Sequence, residues 1–61
     1  MTLRQGGIIA LLDREPMSTF TLAVALNERI PDVARDLNKL AGVGVVEHCE
    51  DGWKLTERVA A

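Results

Sequence analysis

Residues 33–47 read VARDLNKLAGVGVVE, and the change of period within this stretch decides the fold. Val33, Leu37 and Leu40 recur at the spacing of one helix face. Gly42 or Gly44 then stops the helix, and the chain turns β-branched at Val45 and Val46. Upstream, Pro31 suits the first position of this helix, where its missing N–H is no loss, and Asp32 lies near the positive end of the dipole. Downstream, VVEHCE alternates as a strand, Asp51-Gly52 is a hairpin signal, and WKLTE returns. A two-residue turn at Asp51-Gly52 predicts the pairs Glu50 with Trp53, Cys49 with Lys54, and His48 with Leu55. With Leu55 inward, Val46, His48 and Trp53 share its face, and Glu47, Cys49, Lys54 and Thr56 point outward.

Two more helices precede this unit. LRQGGIIALLDRE, roughly residues 2–14, places Ile8, Leu11 and Leu12 on one stripe. Gly6 and Gly7 each weaken it by about 1 kcal/mol relative to alanine, which leaves its first turns frayed or closely packed. Pro16 ends the helix, because the residue before a proline avoids the α region. After a short extended connector, Ser18 or Thr19 caps a second helix, FTLAVALNE, with Leu22, Ala23 and Leu26 inward. Asn27 can close it in the left-handed conformation. The expected fold is therefore mainly helical α+β: three helices followed by a short two-stranded hairpin, in a single domain over residues 1–61.

Composition narrows the function. A chain of 61 residues buries only about 60% of its unfolded surface, so its core must be well used. That core is aliphatic, because Phe20 and Trp53 are the only aromatics. At 48% hydrophobic and 26% charged the chain is globular in composition. No apolar run approaches the ~20 residues of a membrane span, and MTLRQGG lacks a signal-peptide layout; a cytoplasmic protein with no membrane partner is expected. Cys49 stands alone, so it offers neither an internal disulfide nor a zinc cluster. His48 and Cys49 fall on opposite faces of a strand, so no metal site is expected. No nucleophile–base–acid set is present, and Gly6-Gly7 precedes an apolar run instead of following a strand, so neither an enzyme nor a cofactor is expected. The formal net charge of −2 counts against nucleic acid unless the few cations gather on one face.

The order of elements and the residues within them resemble a winged helix-turn-helix domain, similar to MarR and ArsR-type bacterial and archaeal transcriptional regulators. LLDREPMSTFTLAVAL resembles the stretch in which a first helix ends near a proline and LAxxL opens the helix-turn-helix, here Leu22, Ala23 and Leu26. VARDLNKLAGVGVVE resembles VSRxLxxLxxxGLVE, in register at Val33, Arg35, Leu37, Leu40, Gly44, Val45 and Val46. GWKLTE resembles the returning strand of the wing. The likeness covers residues 8–57, with the helix-turn-helix at about 19–41 and the wing at about 45–57. Four departures stand out. Glu28 occupies a usually aliphatic position, with Ile30 expected to supply the apolar contact two residues later. Phe20 replaces a small polar residue, and the wing is very short. Finally, Arg35 and Lys39 are set against Asp32 and Asp36, and Lys54 against Glu47, Glu50 and Asp51.

The resemblance implies sequence-specific binding of double-stranded DNA and transcription control, with the third helix in the major groove. Asp32, Arg35, Asn38 and Lys39 would then lie nearest the bases and backbone, Asp32 accepting from cytosine and Arg35 reaching phosphate or guanine. Ser18, Thr19 and Thr21 would bring hydroxyls and backbone N–H groups to a phosphate, and Lys54 would serve from the wing. Each has a plainer reading: Arg35 paired with Asp32 or Asp36, Asn38 hydrated, Lys39 a helix-end cation, and the hydroxyls as caps. A single small module needs a homodimer on paired half-sites, built through the first helix or the tail RVAA. The rival function is a protein-interaction module reusing the fold, as in polymerase- or assembly-associated winged helices. Acidity, the short wing and Phe20 as a partner anchor favour it. Trp53 reads as a cover for the core, because single-strand binding calls for several aromatics in a basic groove.

Overall fold

The computed structural model describes residues 2–56. Glu57, at the far edge of the expected wing, and the tail RVAA lie outside the described residues. The first helix, α1 (Leu3–Leu12), opens on a reciprocal cap: the Gln5 N–H donates to Thr2 Oγ1 at 3.1 Å, and the Thr2 N–H donates to Gln5 Oε1 at 3.2 Å. It stops at Leu12, earlier than Pro16 alone would require, in a turn through Asp13 and Arg14. The second helix, α2 (Thr19–Leu26), is capped by Ser18, whose Oγ accepts from the Thr21 N–H at 3.1 Å. Asn27 closes it in the left-handed region, at φ 57° and ψ 45°.

The third helix, α3 (Ile30–Gly42), starts one residue before Pro31, with Arg29 in the capping position but no side-chain cap. Its end uses both glycines: the helix runs out at Gly42, and Gly44 takes φ 81°. The Val45 N–H reaches back to the Leu40 carbonyl at 2.9 Å and the Gly44 N–H to that of Ala41 at 3.1 Å. This pair of bonds is a Schellman closure, and it aims the chain into the first strand.

The strands β1 (Val46–Cys49) and β2 (Gly52–Leu55) pair antiparallel, with Val46 opposite Leu55, Glu47 opposite Lys54, His48 opposite Trp53 and Cys49 opposite Gly52. The expected pairing is corrected here. The turn is Glu50-Asp51, neither of which has positive φ, and Gly52 belongs to the strand at φ 125°. The reason lies outside the hairpin. Met17 and Trp53 exchange backbone hydrogen bonds of 3.0 and 2.8 Å, which adds the connector before α2 to the sheet. A Cβ on Gly52 would stand 2.6 Å from the Ser18 Cα and 2.7 Å from the Met17 carbonyl oxygen, so only glycine fits. Each residue's partner moves by two positions, and because side chains alternate with period two, the expected faces survive.

Val46 and Trp53 are buried and Leu55 half-buried, whereas His48 is exposed, its ring 3.8 Å from that of Trp53. The core joins Ile8 and Leu12 of α1, Leu22 and Ala23 of α2, and Val33, Leu37 and Leu40 of α3 to Val46 and Trp53. Gly7 belongs to close packing, since a Cβ there would lie 2.8 Å from Leu26 Cδ2. The architecture is mainly helical α+β, three helices and then a hairpin. Among the described residues no helix is long and apolar enough to cross a membrane.

Candidate nucleic-acid interface

The periodicity that buries Val33, Leu37 and Leu40 leaves a complementary stripe on α3. Pro31, Arg35, Asn38, Lys39 and Gly42 are all exposed, at the spacing of a single helix face. Arg35, Asn38 and Lys39 thus come together, with the Arg35 side chain 66% exposed. Arg29, at the start of the helix, is a further exposed cation that the sequence patterns do not single out.

The carboxylates of α3 are not arranged as the sequence suggests. Asp36, expected to oppose Arg35 and Lys39 on the outward face, is 4% exposed and faces α1. Arg4 Nε donates to Asp36 Oδ2, and Gln5 Nε2 donates to Asp36 Oδ1 at 3.3 Å. Arg4 also donates from Nη1 to Glu28 Oε1 at 3.0 Å, and the same nitrogen lies 3.9 Å from Asp32 Oδ2. One guanidinium on α1 therefore faces three carboxylates contributed by α3 and the turn before it. Burial pushes the Asp36 carboxyl up, but the hydrogen bonds from Arg4 and Gln5, together with the charges of Arg4 and Lys39, outweigh it. The net effect holds that carboxyl below its ordinary value. Bonding to Asp36 first, and then to Glu28, holds the Arg4 guanidinium protonated still more firmly than usual.

Asp32, placed by sequence among the residues nearest the bases, is half-buried between two arginines, with Oδ1 3.6 Å from Arg35 Nη1. Glu28 fills its unusual position by bonding Arg4, and Ile30 remains 47% exposed, so the expected apolar substitution does not occur. The signal for this network was present in part. Asp32 and Asp36 are four residues apart, an unfavourable like-charge spacing that calls for a cation.

The other candidates lie elsewhere. Ser18, Thr19 and Thr21 cluster at the start of α2. Ser18 Oγ donates to Thr21 Oγ1 at 3.0 Å while capping the helix. Thr19 Oγ1 accepts from Trp53 Nε1–H at 3.0 Å, a link that ties α2 to the hairpin and that no local pattern foretold. Lys54 lies on the outer face of the hairpin, 3.4 Å from Glu47 Oε2. Phe20 stands outward at 64% exposure, and Val24, one turn later, is also largely exposed. Between them α2 has no charged residue, and its outward face is Phe20, Thr21, Val24 and Ala25. Comparison of the chain with protein families, curated proteins and solved structures gives no match.

Proposed function

We propose that this protein is a winged-helix transcription regulator that binds double-stranded DNA sequence-specifically, laying α3 in the major groove. The observation that carries the reading is the sorting of charge on α3. Its exposed stripe holds Arg35, Asn38 and Lys39, while Asp36 is buried against Arg4 and Asp32 is half-buried between Arg4 and Arg35. A net charge of −2 is compatible with binding when anions and cations are segregated in this way. The 13 residues of α3 give a rod about 20 Å long, which suits a groove about 12 Å wide.

In this arrangement Arg35 pairs in a bidentate manner with guanine or phosphate, Asn38 with adenine, and Lys39 and Arg29 with phosphates. Ser18 and Thr21 bring the start of α2 to the backbone, with Thr19 holding Trp53 in place. Lys54 reaches a flanking phosphate once it leaves Glu47. One module of this size buries little surface, so strong binding calls for two copies on paired half-sites. A cytoplasmic location belongs to the same proposal. The test is selection from random duplexes by gel shift at low salt. Enrichment of a defined sequence supports the reading, and indifferent or absent binding removes it.

One observation favours the second reading, a protein-interaction module. The outward face of α2 is uncharged and exposes Phe20 and Val24, and aromatic anchors of this kind are enriched among binding hot spots.

A further inference from the structure

We infer that Arg4, on the first helix, is the counter-ion that releases Arg35 to its ligand, by holding the Asp32 carboxylate when Arg35 lets go of it. The inference rests on the DNA reading of α3. Asp32 sits between two guanidinium groups and offers a different oxygen to each: Oδ2 lies 3.9 Å from Arg4 Nη1 and Oδ1 3.6 Å from Arg35 Nη1.

The two arginines are not equivalent. Arg4 is fixed by hydrogen bonds to Asp36 and Glu28, and its side chain is mostly covered. Both contacts with Asp32 are longer than a hydrogen bond, so they are ion pairs alone; Arg35 has no other partner among the described residues, and its side chain is largely in solvent. Arg35 can therefore swing to a phosphate or a base edge, whereas Arg4 stays.

When Arg35 swings away it leaves a half-buried carboxylate beside the binding face. Left without a cation, that carboxylate would draw Arg35 back and repel the phosphates the helix approaches. Arg4 prevents both. It also keeps Asp36 inward, so a single residue outside the exposed stripe sets the sign of the stripe's surroundings. In this account Arg4 positions charge and does not touch DNA.

The experiment is a double-mutant cycle on the full chain, read by fluorescence anisotropy with a labelled duplex selected at low salt. Arg4→Gln alone would strand the Asp36 carboxylate, so every variant carries Asp36→Asn, and each must show native far-ultraviolet circular dichroism. In that background Arg4→Gln is expected to weaken binding about threefold to fivefold, the range of one surface ion pair. Adding Asp32→Asn restores affinity by more than the same substitution changes it with Arg4 intact; this non-additivity is the signature of the pair. Arg4→Lys keeps the charge but loses the forked geometry of the guanidinium, so it should recover part of the affinity that Arg4→Gln loses.

Equal gains from Asp32→Asn with and without Arg4 would overturn the inference while leaving DNA binding intact. So would an unchanged affinity in the Arg4→Gln variant, or an Arg4→Lys variant that binds no better than Arg4→Gln. A wild-type chain that shifts no duplex overturns the DNA reading, and this inference with it.

Discussion

Asp36 shows how a single side chain can belong to the core and to the electrostatics of a surface at once. It lies three residues after Val33 and four before Leu40, so helical geometry places it on the buried face. Its charge makes that placement stable only because Arg4 and Gln5 meet it there. The spacing was legible in the sequence. What was not legible was the partner, which comes from α1, and charged residues without a visible partner are assigned to the surface. The consequence is a pH dependence. The folded carboxyl titrates below its ordinary value, so its contribution to stability is present above the unfolded value, near pH 4. That contribution is lost as pH falls through the folded value. Thermal melts from neutral to acid pH should show stability dropping below about pH 4, and Asp36→Asn should flatten that fall. Leu37, fully buried among the three helices, sets the other extreme. Leu37→Ala should cost about 2–5 kcal/mol, which in a domain this small abolishes or nearly abolishes the cooperative melt. A shift of a degree or two would contradict its place in the core.

The helices were readable because their signals are local. Ser18, Asn27, Pro31 and the two glycines after Leu40 act within a few residues, and each element falls within a residue or two of its expected bounds. The hairpin register was not readable in the same way. Asp51-Gly52 looks like a turn, but Gly52 is needed where the strand presses on the Met17–Ser18 backbone, a contact between distant parts of the chain. Gly52→Ala tests this directly. It combines a positive φ with a backbone clash, so it should destabilise the fold by about 1–3 kcal/mol, measured by denaturant unfolding. Loss of only a few tenths would contradict the positive φ and the backbone contact at Gly52. On α2 the expectation runs the other way. Phe20 contributes nothing to the core, so Phe20→Ser should leave stability within about 1 kcal/mol of wild type. If the protein-interaction reading holds, the same variant lowers self-association or capture of a partner. Melting and sedimentation on one sample distinguish a surface anchor from a structural residue.

At the scale of the whole molecule, the net charge of −2 is a poor guide, because position outweighs the sum. Three carboxylates, from α3 and the turn before it, gather around Arg4 on α1. The exposed stripe of α3 keeps Arg35, Asn38 and Lys39. Those three residues were legible as the complement of Val33, Leu37 and Leu40, whereas the withdrawal of Asp36 from them and the sharing of Asp32 with Arg4 required the tertiary structure. With Lys39, Arg29 and Lys54 as the phosphate contacts, binding should weaken only gently with salt, along a slope of about −3 for each bound copy. A steep slope would place the contact surface elsewhere. The central claim is that α3 is the DNA-binding element, and the most direct measurement is the anisotropy titration of a selected duplex at low salt with wild type and the double variant Arg35→Ala/Lys39→Ala. The account predicts saturable binding by wild type and at least about a tenfold loss in the double variant, equivalent to some 1.4 kcal/mol, with native circular dichroism throughout. Undiminished affinity in a folded double variant would contradict it.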